Sequence, residues 1–130
     1  MEDKKIRALL LGNFSEIFIK ILKEVRPDFE VEKIDLNEKI VTLDYFYNFI
    51  TDEFRPDIIF IHPDAYIESS EFYDGLMRKQ FPKVCFHMFQ RTKMNIWREI
   101  SSQSLELMKN EMDFVMVELE KKEGENEKNK

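Results

Sequence analysis

The stretch Arg55-Pro56-Asp57-Ile58-Ile59-Phe60-Ile61-His62-Pro63 decides the fold class. Ile58 to His62 is the most strand-like run of the chain, and its Ile58-Ile59-Phe60-Ile61 is an unbroken apolar segment too short for a helix and without the alternation of a half-exposed strand. Such a run fits the centre of a parallel sheet covered on both faces. The proline ahead of it ends any preceding helix and favours an extended residue before it, so Arg55-Pro56-Asp57 reads as a helix-to-strand junction.

The same triplet stands 29 residues earlier as Arg26-Pro27-Asp28, which marks two successive strand-helix units solving one junction problem rather than a functional repeat. Toward the N-terminus, Ile6 to Leu11 reads as a first buried strand ending at Gly12. A helix follows in which Asn13 is the expected cap, with Glu16 three residues on. Phe14, Ile17, Phe18, Ile21, Leu22 and Val25 recur at helical spacing. Phe29 to Asp35 suits an edge strand, and Leu43 to Phe54 a second helix. Toward the C-terminus, a loop through Pro63-Asp64-Ala65-Tyr66 leads to a helix over Ser70 to Gln80. A fourth strand is predicted over Val84 to Phe89, with Cys85, His87 and Phe89 on one face and Phe86 and Met88 on the other. A long helix over Lys93 to Met112 and a fifth strand over Phe114 to Leu119 complete the pattern.

Strands alternating with helices imply right-handed crossovers and a parallel sheet. The expected architecture is a single α/β domain over residues 1–120, three layers deep (αβα), with a five-stranded parallel sheet in the flavodoxin-like order 2-1-3-4-5. Residues 121–130 contain no apolar side chain and are expected to be a disordered charged tail.

With 43% hydrophobic residues, the 130-residue chain can bury a real core. No apolar run approaches the roughly 20 residues that span a bilayer, and the charged start Met1-Glu2-Asp3-Lys4-Lys5 does not resemble a secretory signal, so a cytoplasmic protein is expected. The net charge of −6 argues against nucleic acid, which needs a basic surface. The single cysteine, Cys85, reads as a small buried hydrophobe.

In such sheets ligands bind beyond the carboxyl ends of the strands, near the switch between strands 1 and 3. That rim gathers Gly12, Asn13, His62, Asp64, Gln90 and Arg91 as ligand candidates. His62, Asp64 and His87 have the donor types of a zinc or iron site, but His87 lies inside a strand and reads as a hydrogen-bonded core residue. Neither a metal site nor a cofactor is expected, and no residue is assigned a catalytic role. Ser15, Ser69 and Ser70 sit where helices begin, and capping accounts for them. Tyr45 and Phe49, one turn apart, and Trp97 and Met108 on the long fourth helix are the candidates for a contact surface with a protein partner or a second copy.

Over roughly Lys5 to Leu119 the pattern resembles the receiver domain of response regulators. The matching parts are Arg7-Ala8-Leu9-Leu10-Leu11 leading into a helix, and Arg55 to Pro63, which looks like the strand that carries the phosphoacceptor aspartate. The chain departs from that family where its chemistry lies. Gly12 and Asn13 stand in place of acidic residues, His62 in place of the phosphoacceptor, Phe89 or Gln90 in place of the hydroxyl residue, and Val117 or Glu118 in place of the lysine. The resemblance implies a degenerate receiver that acts by contact, without phosphorylation. A second resemblance, carried by Arg55 to Ile61 and by Asn110 to Val117, is to the N-terminal Rossmann-like half of glycosyltransferases. It implies a small-ligand or nucleotide-sugar binding fragment with Asn13, His62, Asp64 and Arg91 around the ligand.

Overall fold

The computed structural model describes residues 5–34, 48–64, 79 and 81–128. Strands β1 (Ile6–Leu11), β2 (Phe29–Ile34), β3 (Ile58–Ile61) and β4 (Cys85–Met88) form a parallel sheet in the order β2-β1-β3-β4. The chain steps outward from β1 to β2 and then returns across β1 to β3, so the switch point lies between β1 and β3.

Side chains along the inner strands alternate between two core clusters. Ala8 and Leu10 of β1 and Ile58 and Phe60 of β3 face one side, and Leu9, Leu11, Ile59 and Ile61 face the other. Both faces are buried, which is why these runs are apolar without a break. In β4, Cys85 falls in the first cluster and Phe86 in the second, with Phe89 just beyond the strand back in the first, as predicted. Edge strand β2 keeps Glu30 and Glu32 in solvent.

Helix α1 (Glu16–Val25) begins where Ser15 Oγ accepts the Phe18 N–H at 3.1 Å. Ser15 therefore caps the helix, in place of the expected Asn13. It ends where the Arg26 guanidinium folds back on the Asp28 carboxylate through two hydrogen bonds of 2.9 and 2.6 Å. The second triplet works differently. Arg55 takes a positive φ of 53°, and Asp57 accepts the Arg7 N–H on its carboxylate at 2.9 Å while its own N–H donates to Arg7 O at 2.8 Å. This Asp57 locks β3 against β1, so identical triplets serve as a helix stop at one junction and a strand clamp at the other.

Three predicted elements are corrected. The helix expected over Lys93 to Met112 is split into a 3₁₀ segment, Arg91–Arg98, and a helix α2, Ser102–Lys128. The split arises because Ser101 and Ser104 form a reciprocal cap, each backbone N–H donating to the other's Oγ at 2.8 and 3.1 Å. Phe114 to Leu119, expected as a fifth strand, lies inside α2. Met108, Met112, Val115 and Leu119 are buried at helical spacing on the face that α2 turns toward the sheet and α1. The helix also runs on to Lys128, through most of the segment expected to be a disordered tail.

Helices α1 and α2 cover one face of the sheet together with the 3₁₀ segment, and Ile50, Phe54 and Phe81 pack on the other. Among the described residues no helix is long and apolar enough to cross a membrane. Tyr45 and nearly all of the helix predicted over Ser70 to Gln80 lie outside the described residues, as does the side chain of Phe49.

Candidate functional site

At the switch point the chain after β1 and the chain after β3 touch. The Gly12 N–H donates to Ile34 O at 2.9 Å and the His62 N–H to Leu11 O at 2.9 Å, which carries both ends of the crevice past the last strand residues. Gly12 adopts a φ of +115°, and a Cβ built there would lie 2.6 Å from the His62 Cβ. Glycine is required on both counts. The His62 ring stands edge-on to Phe14 at 5.0 Å.

The Asp64 N–H donates to His62 Nδ1 at 3.1 Å, so Nδ1 is an acceptor and the ring proton belongs on Nε2. Burial pushes His62 below the ordinary imidazole range; Asp64 pulls the other way, and Arg91 and Lys33 add to the lowering. The ring is therefore neutral at pH 7. Arg91 pairs with the Asp64 carboxylate and reaches Pro63 O at 3.5 Å, tying the segment after β4 to the loop after β3. A cavity of about 320 Å³ opens here, lined among others by Asn13, Ser15, His62, Asp64, Arg91 and Arg98. Of the six rim candidates, the cavity takes in Asn13, His62, Asp64 and Arg91, with Gly12 beneath His62. Gln90 faces a different cavity.

That second cavity, about 400 Å³, lies between β4, the 3₁₀ segment and α2. His87, Glu111 and Lys93 meet at it: His87 Nε2 is 2.6 Å from Glu111 Oε2, and Lys93 Nζ donates to Glu111 Oε1 at 3.2 Å. The Glu111 side chain is only 11% exposed and that of His87 13%. The hydrogen bond from His87 holds the Glu111 carboxyl below the ordinary carboxylate range, burial opposing it and Lys93 assisting. The floor and walls are apolar, with Met88, Ile96, Trp97, Leu107 and Phe114 among them. A pocket of this volume, apolar with a few convergent polar groups, has the ordinary make-up of a small-molecule site.

Sequence reasoning found His87 as a hydrogen-bonded residue of the strand but missed its partner. Glu111 occupies the buried stripe of α2, between Met108 and Val115, and a charged residue in that stripe was the available signal. The strand predicted at Phe114 concealed it by ending the helical stripe too soon. His87 does not join His62 and Asp64 in a metal site, because it borders the second cavity rather than the rim. Among the described residues no group of three His, Cys, Asp or Glu side chains is placed to hold a metal ion.

Two of the contact-surface candidates are core residues instead. Trp97 is 2% exposed, its ring edge-on to Phe18 and Phe89 at 5.6 Å each, and its Nε1–H donates to Ser104 O at 3.2 Å. Met108 is fully buried. Met108 faces inward because α2 packs along α1 and the sheet, and Trp97 because the 3₁₀ segment packs against Phe18 of α1 and Phe89. The apolar side chains that α2 leaves in solvent are Phe114 and Val117, 58% and 49% exposed and three residues apart on one face.

No protein-family model and no curated protein matches the chain.

Proposed function

We propose that the chain is a non-catalytic, receiver-like module of three-layer, flavodoxin-like architecture that acts by contact with a protein partner or a second copy, independently of phosphorylation. The observation that carries this reading is the exposed pair Phe114 and Val117 on α2, bordering the side of the sheet where β4 is the outermost strand among the described residues. Apolar side chains grouped at a sheet flank favour burial against another surface. The rim fits the same reading. Where a receiver's phosphoacceptor would stand, His62 is neutral, wedged over Gly12 and hydrogen-bonded by Asp64.

Sedimentation equilibrium over a wide concentration range tests self-contact. A dimer that Phe114→Asp dissociates is the expected result for a second copy. A monomer at all concentrations assigns the surface to a different protein. Magnesium with beryllofluoride, a phosphoryl mimic, is expected to leave the melting temperature unchanged, and a clear rise contradicts the phosphorylation-independent part.

The rim cavity favours a second reading, a small-ligand or nucleotide-sugar binding fragment, because Asn13, His62, Asp64 and Arg91 line one space with Arg98. Stabilisation by a nucleotide-sugar, lost in Arg91→Ala, is the result that places this reading first. A ligand at about 100 times its dissociation constant stabilises a fold by about 2.7 kcal/mol, enough for a thermal shift to detect.

A further inference from the structure

We infer that the outer face of α2 takes an amphipathic helix with basic flanks from a different protein, and not a second copy of this chain. The inference rests on the reading of Phe114 and Val117 as a contact surface and names what that surface receives. Leu107, Phe114 and Val117 are spaced by seven and then three residues, which sets them on one face of α2. That face is distinct from the buried one, where Met108, Met112, Val115 and Leu119 cover the sheet and α1. Leu107 is half-buried, and Phe114 and Val117 are exposed. The helix thus carries two seams, one spent on its own fold and one open, with the exposed Asn110 and Lys121 at the polar positions of the open seam. Leu107 and Phe114 also wall the cavity of about 400 Å³ beside β4, a recess for an apolar side chain of the partner. A seam of this period matches the ridge of another helix, whereas a strand alternates its side chains every second residue.

The charges beside the seam select the partner. Glu106, Asp113 and Glu120 run along one edge at intervals of seven residues, all three exposed and none in an ion pair among the described residues. Glu111 and Glu118 run along the other edge, where Lys93 and Lys121 pair with them at 3.2 and 3.7 Å. Lys109 stands on the α1 side of the free row, lining one cavity with Val25 and Arg26. A second copy laid antiparallel would set Glu106, Asp113 and Glu120 against the same row, and one laid parallel would set them against Glu111 and Glu118. Both orientations oppose carboxylates to carboxylates, which suppresses pairing. Lysine or arginine along the flank of a different helix meets the free row with opposite charge, and the net charge of −6 attracts such a partner from a distance.

The mass of the purified full chain in solution is measured first, and a monomer is expected. The probe is a dye-labelled helical peptide of about three heptads with leucine on its seam and lysine on both flanks, followed by fluorescence anisotropy. One control carries glutamate in place of lysine, and the other permutes the lysine peptide so that its leucines lose the heptad spacing. The lysine peptide is expected to saturate below about 1 mM, with each control at least about tenfold weaker. Phe114→Ser is expected to weaken binding about tenfold. Glu106→Lys, Asp113→Lys and Glu120→Lys together, all at exposed positions, are expected to reverse the preference, so that the glutamate peptide binds more tightly than the lysine peptide. A dimer of the unsubstituted chain that Phe114→Asp dissociates overturns the choice of partner and keeps the contact surface. The choice is equally overturned if the lysine peptide fails to saturate, binds no better than either control, or keeps its advantage in the triple variant. Unchanged affinity in Phe114→Ser overturns both this inference and the contact-surface reading beneath it.

Discussion

Gly12 and His62 approach so closely that a Cβ on Gly12 would stand 2.6 Å from the His62 Cβ, at a residue whose φ is +115°. Gly12→Ala therefore meets both backbone strain and a steric clash, and the expected loss is about 2–4 kcal/mol in urea unfolding. His62→Gly in the same chain removes the clash and leaves the strain, so a double-mutant cycle should return a coupling of about 1 kcal/mol or more. Purely additive effects would show that the crevice opens to admit the methyl group.

The buried Glu111 links stability to acid. Its folded pKa lies below the unfolded value near 4.5, so its contribution is complete above that pH and is lost as pH falls through the lowered folded value. Glu111→Gln should cost about 1–2 kcal/mol at pH 7, and the gap from the unsubstituted chain should shrink below pH 4.5. Unfolding free energies at pH 7 and pH 3 decide this. A gap of constant size would mean that Glu111 contributes through packing alone.

His62 carries a second pH dependence. Its folded pKa lies below the unfolded value of 6.5, so stability is full above that pH and declines as pH falls through the lowered folded value. The imidazole proton resonances of His62 should titrate with a midpoint under 6.5, and His62→Asn should flatten the stability profile in that window. A midpoint at or above 6.5 would show that the Asp64 carboxylate outweighs burial.

Met108 and Phe114 reverse the roles that their places in the sequence suggest. Met108→Ala removes a fully buried side chain and should cost about 2–5 kcal/mol. Phe114→Ser removes a side chain that is 58% exposed, and the expected cost is within about 0.5 kcal/mol. Denaturant midpoints of the two variants give the comparison directly. A large loss on Phe114→Ser would mean that this face is already covered in the isolated protein.

The strands were legible wherever an apolar run had a sharp boundary. Ala8 to Leu11 ends at Gly12, and Ile58 to Ile61 lies between two proline-containing segments, so length and punctuation sufficed. Phe114 to Val117 lacked such a boundary. No glycine or proline separates it from Met112, and a short apolar run by itself fits a strand or a helix equally well. Here the run mixes the inward Val115 and Met116 with the outward Phe114 and Val117, which only the register of the buried stripe could separate.

By itself the sequence determined the α/β class, the four strands and their parallel order, and the gathering of Asn13, His62, Asp64 and Arg91 at one crevice. These follow from local propensity, from burial on two faces and from the connection rules of parallel sheets. Only the tertiary structure decided that Trp97 and Met108 are core, that α2 absorbs the fifth strand, and that His87, Lys93 and Glu111 meet. Those outcomes depend on how α2 is rotated against α1 and the sheet. That rotation is set by packing between side chains far apart in the chain, and a single sequence records neither the angle nor the partners.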